Sequence, residues 1–167
     1  SIIAFIFGAQ PTKETGIRLV GGHTDSPCLK IKPNPDVYKK SYYQLGVEVY
    51  GGVLLGSWFD RDLSIAGKVV YKRAGGGPHE SLIDLKRAVG TIPSLAIHLN
   101  REANTSHSIN AQTDILPVLN KCGDTKEELK TVLAKELASQ LPLTPDLGAI
   151  SILDYDLYFY DTQKQVF

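Results

Sequence analysis

Leu45-Gly46-Val47-Glu48-Val49-Tyr50 sets an apolar residue at every second position. That is the period of a strand with one buried and one solvated face. Gly51-Gly52 follows as a turn or bulge signal. The same reading extends outward. Ile65 to Lys72 reads as a strand ending at the loop Ala74-Gly75-Gly76-Gly77-Pro78, and Ser81 to Lys86 alternates again. Leu95-Ala96-Ile97-His98-Leu99 predicts a further strand, with His98 on the face opposite the three aliphatic residues. From about Ile150 to Tyr160, Tyr155, Leu157 and Phe159 share one face and Asp154, Asp156 and Tyr158 the other. Short alternating strands between turn signals predict an antiparallel sheet or small barrel.

One helix is expected between these strands. Asp124 or Thr125 caps it, and Thr125 with Glu128 fits a capping box. Leu129, Val132, Leu133, Leu137 and Leu141 make its apolar stripe, and Pro142 and Pro145 end it. Upstream, Ile2 to Phe7 and Ile17 to Val20 are continuous apolar runs, which suit a sheet covered on both faces. Lys30 to Lys40, with Pro33 and Pro35, is expected to be a domain boundary. The fold class is therefore α+β: strands from the edge of an α/β sheet, then a mostly antiparallel β domain with one clear helix.

Eighteen basic and eighteen acidic residues cancel over 167 positions. No basic stripe points to nucleic acid or an anionic membrane. The apolar run from Ser1 to Ala9 is too short to span a bilayer. Cys28 and Cys122 are isolated, which favours a reducing, cytoplasmic setting over a disulfide framework. Both ends, Ser1-Ile2-Ile3 and Gln165-Val166-Phe167, are abrupt, and we expect them to be cuts through a longer protein.

The chemistry concentrates in Gly21-Gly22-His23-Thr24-Asp25-Ser26-Pro27, directly after an apolar strand. Side chains two apart on extended backbone point to one side, so Asp25 can approach His23. A carboxylate on the spare ring nitrogen of a metal-bound histidine fixes its tautomer. On spacing alone, a plain hydrogen-bonded loop pair explains His-x-Asp better than a metal site does. Trp58-Phe59-Asp60-Arg61-Asp62 reads as a structural Asp–Arg ion pair beside packed rings. His79 and His107 are expected to face solvent, and Cys28 to be a small packed residue.

Gly22-His23-Thr24-Asp25-Ser26-Pro27-Cys28-Leu29-Lys30 resembles the His-Thr-Asp-Ser-Pro motif of the M18 metalloaminopeptidases. Gly46 to Gly52 with Ser57 to Val69, and then Pro93 to Leu99, are similar to that family's next two blocks, in order and at close to its spacing. The resemblance implies a zinc exopeptidase with two metal ions, a peptide substrate, and homo-oligomers: dimers that assemble into dodecamers. It implies that His23 is the first zinc ligand and that Asp25 is the catalytic aspartate orienting it. It implies that His98 reaches a partner subunit's active site to contact substrate; alternation by itself reads His98 as a surface-facing strand histidine. Residues 1–32 then correspond to the start of the peptidase domain. Residues 33–167 correspond to a dimerisation and substrate-gating domain, with a return to the peptidase domain near the C-terminal end left open. The family's Asp-Asn stretch, Glu-Glu pair, further Asp and late His have no counterpart here, so one histidine lacks the partners for tight zinc binding. The alternative is a non-catalytic oligomerisation or binding module. Acidic versus neutral N-terminal residues as substrate stay undecided.

Overall fold

The computed structural model describes residues 2–122, 127–141 and 150–163. Strands β1 (Ile2–Phe7) and β2 (Ile17–Gly22) form an antiparallel ribbon in which Ile2 faces Gly22 and Phe7 faces Ile17. One helical turn, α1 (Thr12–Thr15), joins them. Continuous apolar runs predict cover on both faces, yet every described residue of both strands is exposed. Ile6 is 73% exposed and Val20 71%, and among the described residues nothing lies over either face.

The second sheet has six strands: β3 (Cys28–Lys39), β4 (Tyr42–Tyr50), β5 (Leu63–Lys72), β6 (Pro78–Asp84), β7 (Val118–Lys121) and β8 (Ser151–Asp161). Their order is β6-β5-β8-β3-β4-β7, and every neighbouring pair is antiparallel. The expected alternation builds its core. Leu45 and Val47 of β4 are buried while Glu48 is exposed, and Leu157 and Phe159 of β8 are buried while Asp154 and Asp156 are exposed. Leu29 and Ile31 of β3 and Ile65 and Val69 of β5 complete this layer.

Helix α2 (Leu129–Gln140) packs its stripe onto the sheet, with Leu129, Leu133 and Leu137 buried. The expected caps Asp124 and Thr125, and the stop residues Pro142 and Pro145, lie outside the described residues. Glu128 has extended backbone and occupies the N-cap position itself, so it does not serve as the third helical residue of a capping box. Asp36 of β3 supplies the cap instead. Its Oδ1 accepts the Leu129 N–H at 2.9 Å and the Tyr43 hydroxyl at 2.5 Å.

Three further expectations are corrected. The proline-bearing stretch Lys30 to Lys40 is no loop, since all of it but Lys40 belongs to β3. Its pairing with β4 is interrupted between Ile31 and Asp36, and Pro33 and Pro35 sit in that interruption, where a missing N–H costs no ladder bond. Leu95 to Leu99 is not a strand. Ladder contacts end at Ile92, Pro93 has no N–H to extend them, and Leu99 and Asn100 donate to the Ala96 carbonyl in a turn. Leu95, Ile97 and Leu99 are all exposed, so the alternation there marks no buried face. Arg61 pairs with neither acidic neighbour. Its guanidinium meets Asp161 of β8 at 2.5 Å, while Trp58 and Phe59 pack against the core as expected.

Candidate functional site

Residues 23–27 form an irregular crossing from the ribbon to β3. His23 Nδ1 lies 3.4 Å from Asp25 Oδ1, so the two side chains do share a side. The imidazole is 76% exposed, and with Nδ1 turned to the carboxylate, Nε2 is the ring atom available as a lone-pair donor. Asp25 Oδ2 accepts a hydrogen bond from the Tyr50 hydroxyl at 2.8 Å. Tyr50 ends β4 opposite Cys28, and Gly51, at φ +75°, turns the chain away where a Cβ would sit 3.5 Å from Pro27. The Tyr50 hydrogen bond to Asp25 raises the phenol above its ordinary value, so Tyr50 stays protonated as a donor.

Below this pair lies a supporting cluster. The Tyr50 ring meets Tyr158 edge-on, with centroids 5.9 Å apart. Lys30 Nζ stands 5.6 Å from the Tyr158 centroid and 2.9 Å from Asp156 Oδ1. The hydrogen bond from Lys30 holds the Asp156 carboxyl below its usual range. Burial, and then the carboxylates of Asp156 and Asp25, push the Cys28 thiol up. Cys28 is a half-buried thiol, in line with its reading as a packed residue.

The third candidate, His98, lies on the exposed turn 97–99. No hydrogen bond or ion pair joins it to His23 or Asp25 among the described residues. His79 and His107 are exposed as expected, though the His107 ring sets its edge against Phe59 and its Nδ1 bonds Asn100 at 2.9 Å. Phe59, Leu95, His107 and Asp114 line an open cavity of about 500 Å³ beside that turn.

Zinc takes three or four protein ligands. Among the described residues no group of three or more His, Cys, Asp and Glu can hold a metal ion. The pair fits one position of such a site, a histidine with its orienting carboxylate, and does not make the full set. Sequence reasoning found both members and missed Tyr50. Its one signal was its place at the end of an alternating strand, and only the register of β3 on β4 brings it to Asp25.

A family model described as Aminopeptidase I zinc metalloprotease (M18) matches residues 1–167. The "Probable M18 family aminopeptidase 2" of Ectopseudomonas mendocina (strain ymp) is 52% identical over 165 residues, covering 98% of this chain and 37% of the relative. Its namesake in Pseudomonas fluorescens (strain SBW25) matches to the same extent. The chain thus spans little more than a third of these relatives. Among solved structures, Ape4 in its complex with Nbr1 aligns with TM-score 0.73 at 35% identity, over 85% of this chain and 29% of that one. Chaetomium thermophilum mApe1 aligns at 0.64 and 31%, over 85% and 33%. The S. cerevisiae mApe1 dodecamer aligns at 0.57 and 26%, over 85% and 30%. Whole-length sequence agreement and a shared antiparallel fold lead to one assignment: this chain belongs to the M18 family of aminopeptidase I zinc metalloproteases.

Proposed function

We propose that this chain is part of a zinc-dependent aminopeptidase that removes N-terminal amino acids from peptides, with His23 as one metal ligand and Asp25 as the carboxylate that orients it. The observation that carries this is the 3.4 Å approach of Asp25 to His23 Nδ1, which leaves Nε2 for a metal. Bound zinc supplies Lewis acidity and lowers the pKa of its water. Within this chain, His23 offers the ligand atom and Asp25 holds the proton on Nδ1. The remaining ligands, for two metal ions, come from polypeptide outside these residues. That fits a chain covering 37% of its relatives and lacking a three-ligand cluster among its described residues.

In this reading the ribbon β1–β2 belongs to the peptidase domain and the six-stranded sheet to the dimerisation domain, with the sheets changing between Gly22 and Cys28. His98, on its exposed turn, contacts substrate in a partner subunit, and Leu95, Ile97 and Leu99 beside it are apolar surface suited to a dimer contact. Homo-oligomers up to the dodecamer are supported by the S. cerevisiae relative. A reducing, cytoplasmic setting is supported by the two free cysteines, Cys28 and Cys122. No helix among the described residues is long and apolar enough to cross a membrane.

The second reading is a non-catalytic oligomerisation module, which the missing three-ligand cluster favours for these residues taken alone. Hydrolysis of aminoacyl chromogenic substrates separates the two. The full-length polypeptide is expected to cleave them, to lose activity to a chelator and to regain it with Zn2+; the isolated 167 residues are expected to be inactive. A full-length polypeptide with no activity in the presence of zinc supports the module and overturns the enzyme.

A further inference from the structure

Two residues of the motif Trp58-Phe59-Asp60-Arg61-Asp62 hold both ends of the segment that bears His98. Phe59 bridges to Ile92, and the Asp60 N–H donates to the Ile92 carbonyl at 2.9 Å. Pro93 has no N–H, so the backbone ladder stops there. The Asp60 side chain takes over: its Oδ1 accepts the Ser94 N–H at 2.8 Å, and bonding to Ser94 holds the carboxyl below its ordinary value. At the far end Asn100 Nδ2 lies 2.9 Å from His107 Nδ1, and the His107 ring meets Phe59 at 82°, with centroids 6.3 Å apart. Between the ends, Leu99 and Asn100 donate to the Ala96 carbonyl, which shapes the turn without tying it to the sheet. Ser94, Leu95 and Asn100 line the open cavity together with Phe59, so the segment is not packed solidly onto the body beneath it. Asp60 itself has φ +57°, a left-handed backbone that aspartate enters more readily than most residues with a Cβ. Such backbone persists where its surroundings hold it, and it collects at functional sites. We propose that Asp60 is a positioning residue for His98: by capping the Ser94 N–H it sets the direction in which residues 94–100 leave the sheet and present His98 to substrate in a partner subunit. This rests on the reading of His98 as a substrate contact.

The test is steady-state hydrolysis of an aminoacyl chromogenic substrate by the zinc-loaded full-length protein, with oligomeric state followed by light scattering. Asp60→Gly keeps the left-handed backbone accessible and removes only the acceptor. It is expected to lower kcat/KM about 10- to 100-fold, the scale on which a misplaced group costs rate. The loss is expected to divide between kcat and KM as it does in His98→Ala, with the oligomer intact. In a His98→Ala background the same substitution is expected to add nothing, because its path runs through His98. Asp60→Asn, which also tolerates this backbone and returns an acceptor oxygen, is expected to recover most of the loss. Wild-type kcat/KM in Asp60→Gly, a full additional loss in the His98→Ala background, or a loss that tracks dissociation of the oligomer overturns the inference. Wild-type kinetics in His98→Ala overturns instead the reading of His98 beneath it. If Asp60→Gly does not fold, Ser94→Pro removes the donor in place of the acceptor and is judged by the same kinetics and cycle.

Discussion

Gly67 stands in the middle of the sheet, opposite Leu157 on β8 and Ile83 on β6. Its φ is +150°, and a Cβ built on it would lie 2.1 Å from the Asp156 carbonyl oxygen and 3.0 Å from Leu157 Cα. Both obstacles are backbone, so no side chain can swing aside. Carbon and carbonyl oxygen settle at about 3.3 Å, so Gly67→Ala must push β5 and β8 apart by roughly 1 Å at their centre. Overpacking of this kind costs about 1–3 kcal/mol, and forcing a residue with a Cβ into this backbone region costs a further 1–3 kcal/mol or so. The expected loss is therefore about 2–6 kcal/mol. The single tryptophan, Trp58, is packed against this core and reports its unfolding by fluorescence. Urea titrations of wild type, Gly67→Ala and Gly77→Ala make the comparison. At Gly77 an added Cβ meets nothing within 4 Å, and that variant is expected within about 0.5 kcal/mol of wild type. If Gly67→Ala is no less stable than Gly77→Ala, the close approach of β5 and β8 is wrong.

Asp36→Ala removes the cap of α2 (about 1 kcal/mol) and leaves the buried Tyr43 hydroxyl without its acceptor (about 1–3 kcal/mol). Its urea midpoint is expected to fall by the equivalent of about 2–4 kcal/mol. Leu133, fully buried on α2, is expected to cost about 2–5 kcal/mol as Leu133→Ala, while exposed Lys130→Ala stays within about 0.5 kcal/mol. Asp156 is held below the ordinary carboxylate value by its bond from Lys30. A depressed carboxylate contributes above its unfolded pKa, near 4, and loses that contribution as pH falls through its lower folded value. The stability gap between wild type and Asp156→Asn is therefore expected to hold near neutral pH and to close in acid. A gap that persists unchanged into acid contradicts the pairing.

The strands of the core were legible because their burial alternates in step with the sequence. In β4, Leu45 and Val47 turn inward and Glu48 outward, and in β8 Leu157 and Phe159 do so against Asp154 and Asp156. The same period misled at Leu95 to Leu99, since five residues carry it by accident when no neighbouring strand offers a ladder. Pro33 and Pro35 misled in the opposite sense. A bulge absorbs them inside β3, and a bulge is a property of the pair of strands rather than of either one. Of the site, His23 and Asp25 were readable because their contact is local. Tyr50 on Asp25 and Asp36 on Leu129 were not, because those contacts span 25 and 93 residues and exist only once β3 has paired with β4 and α2 has docked.

The central claim is that His23 is a metal ligand of an M18 aminopeptidase. Zinc content by elemental analysis, on purified full-length wild type and His23→Ala dialysed against equal free Zn2+, tests it most directly. Wild type is expected to retain zinc, and His23→Ala to retain markedly less at an unchanged near-UV circular dichroism. Equal zinc in the two proteins contradicts the account.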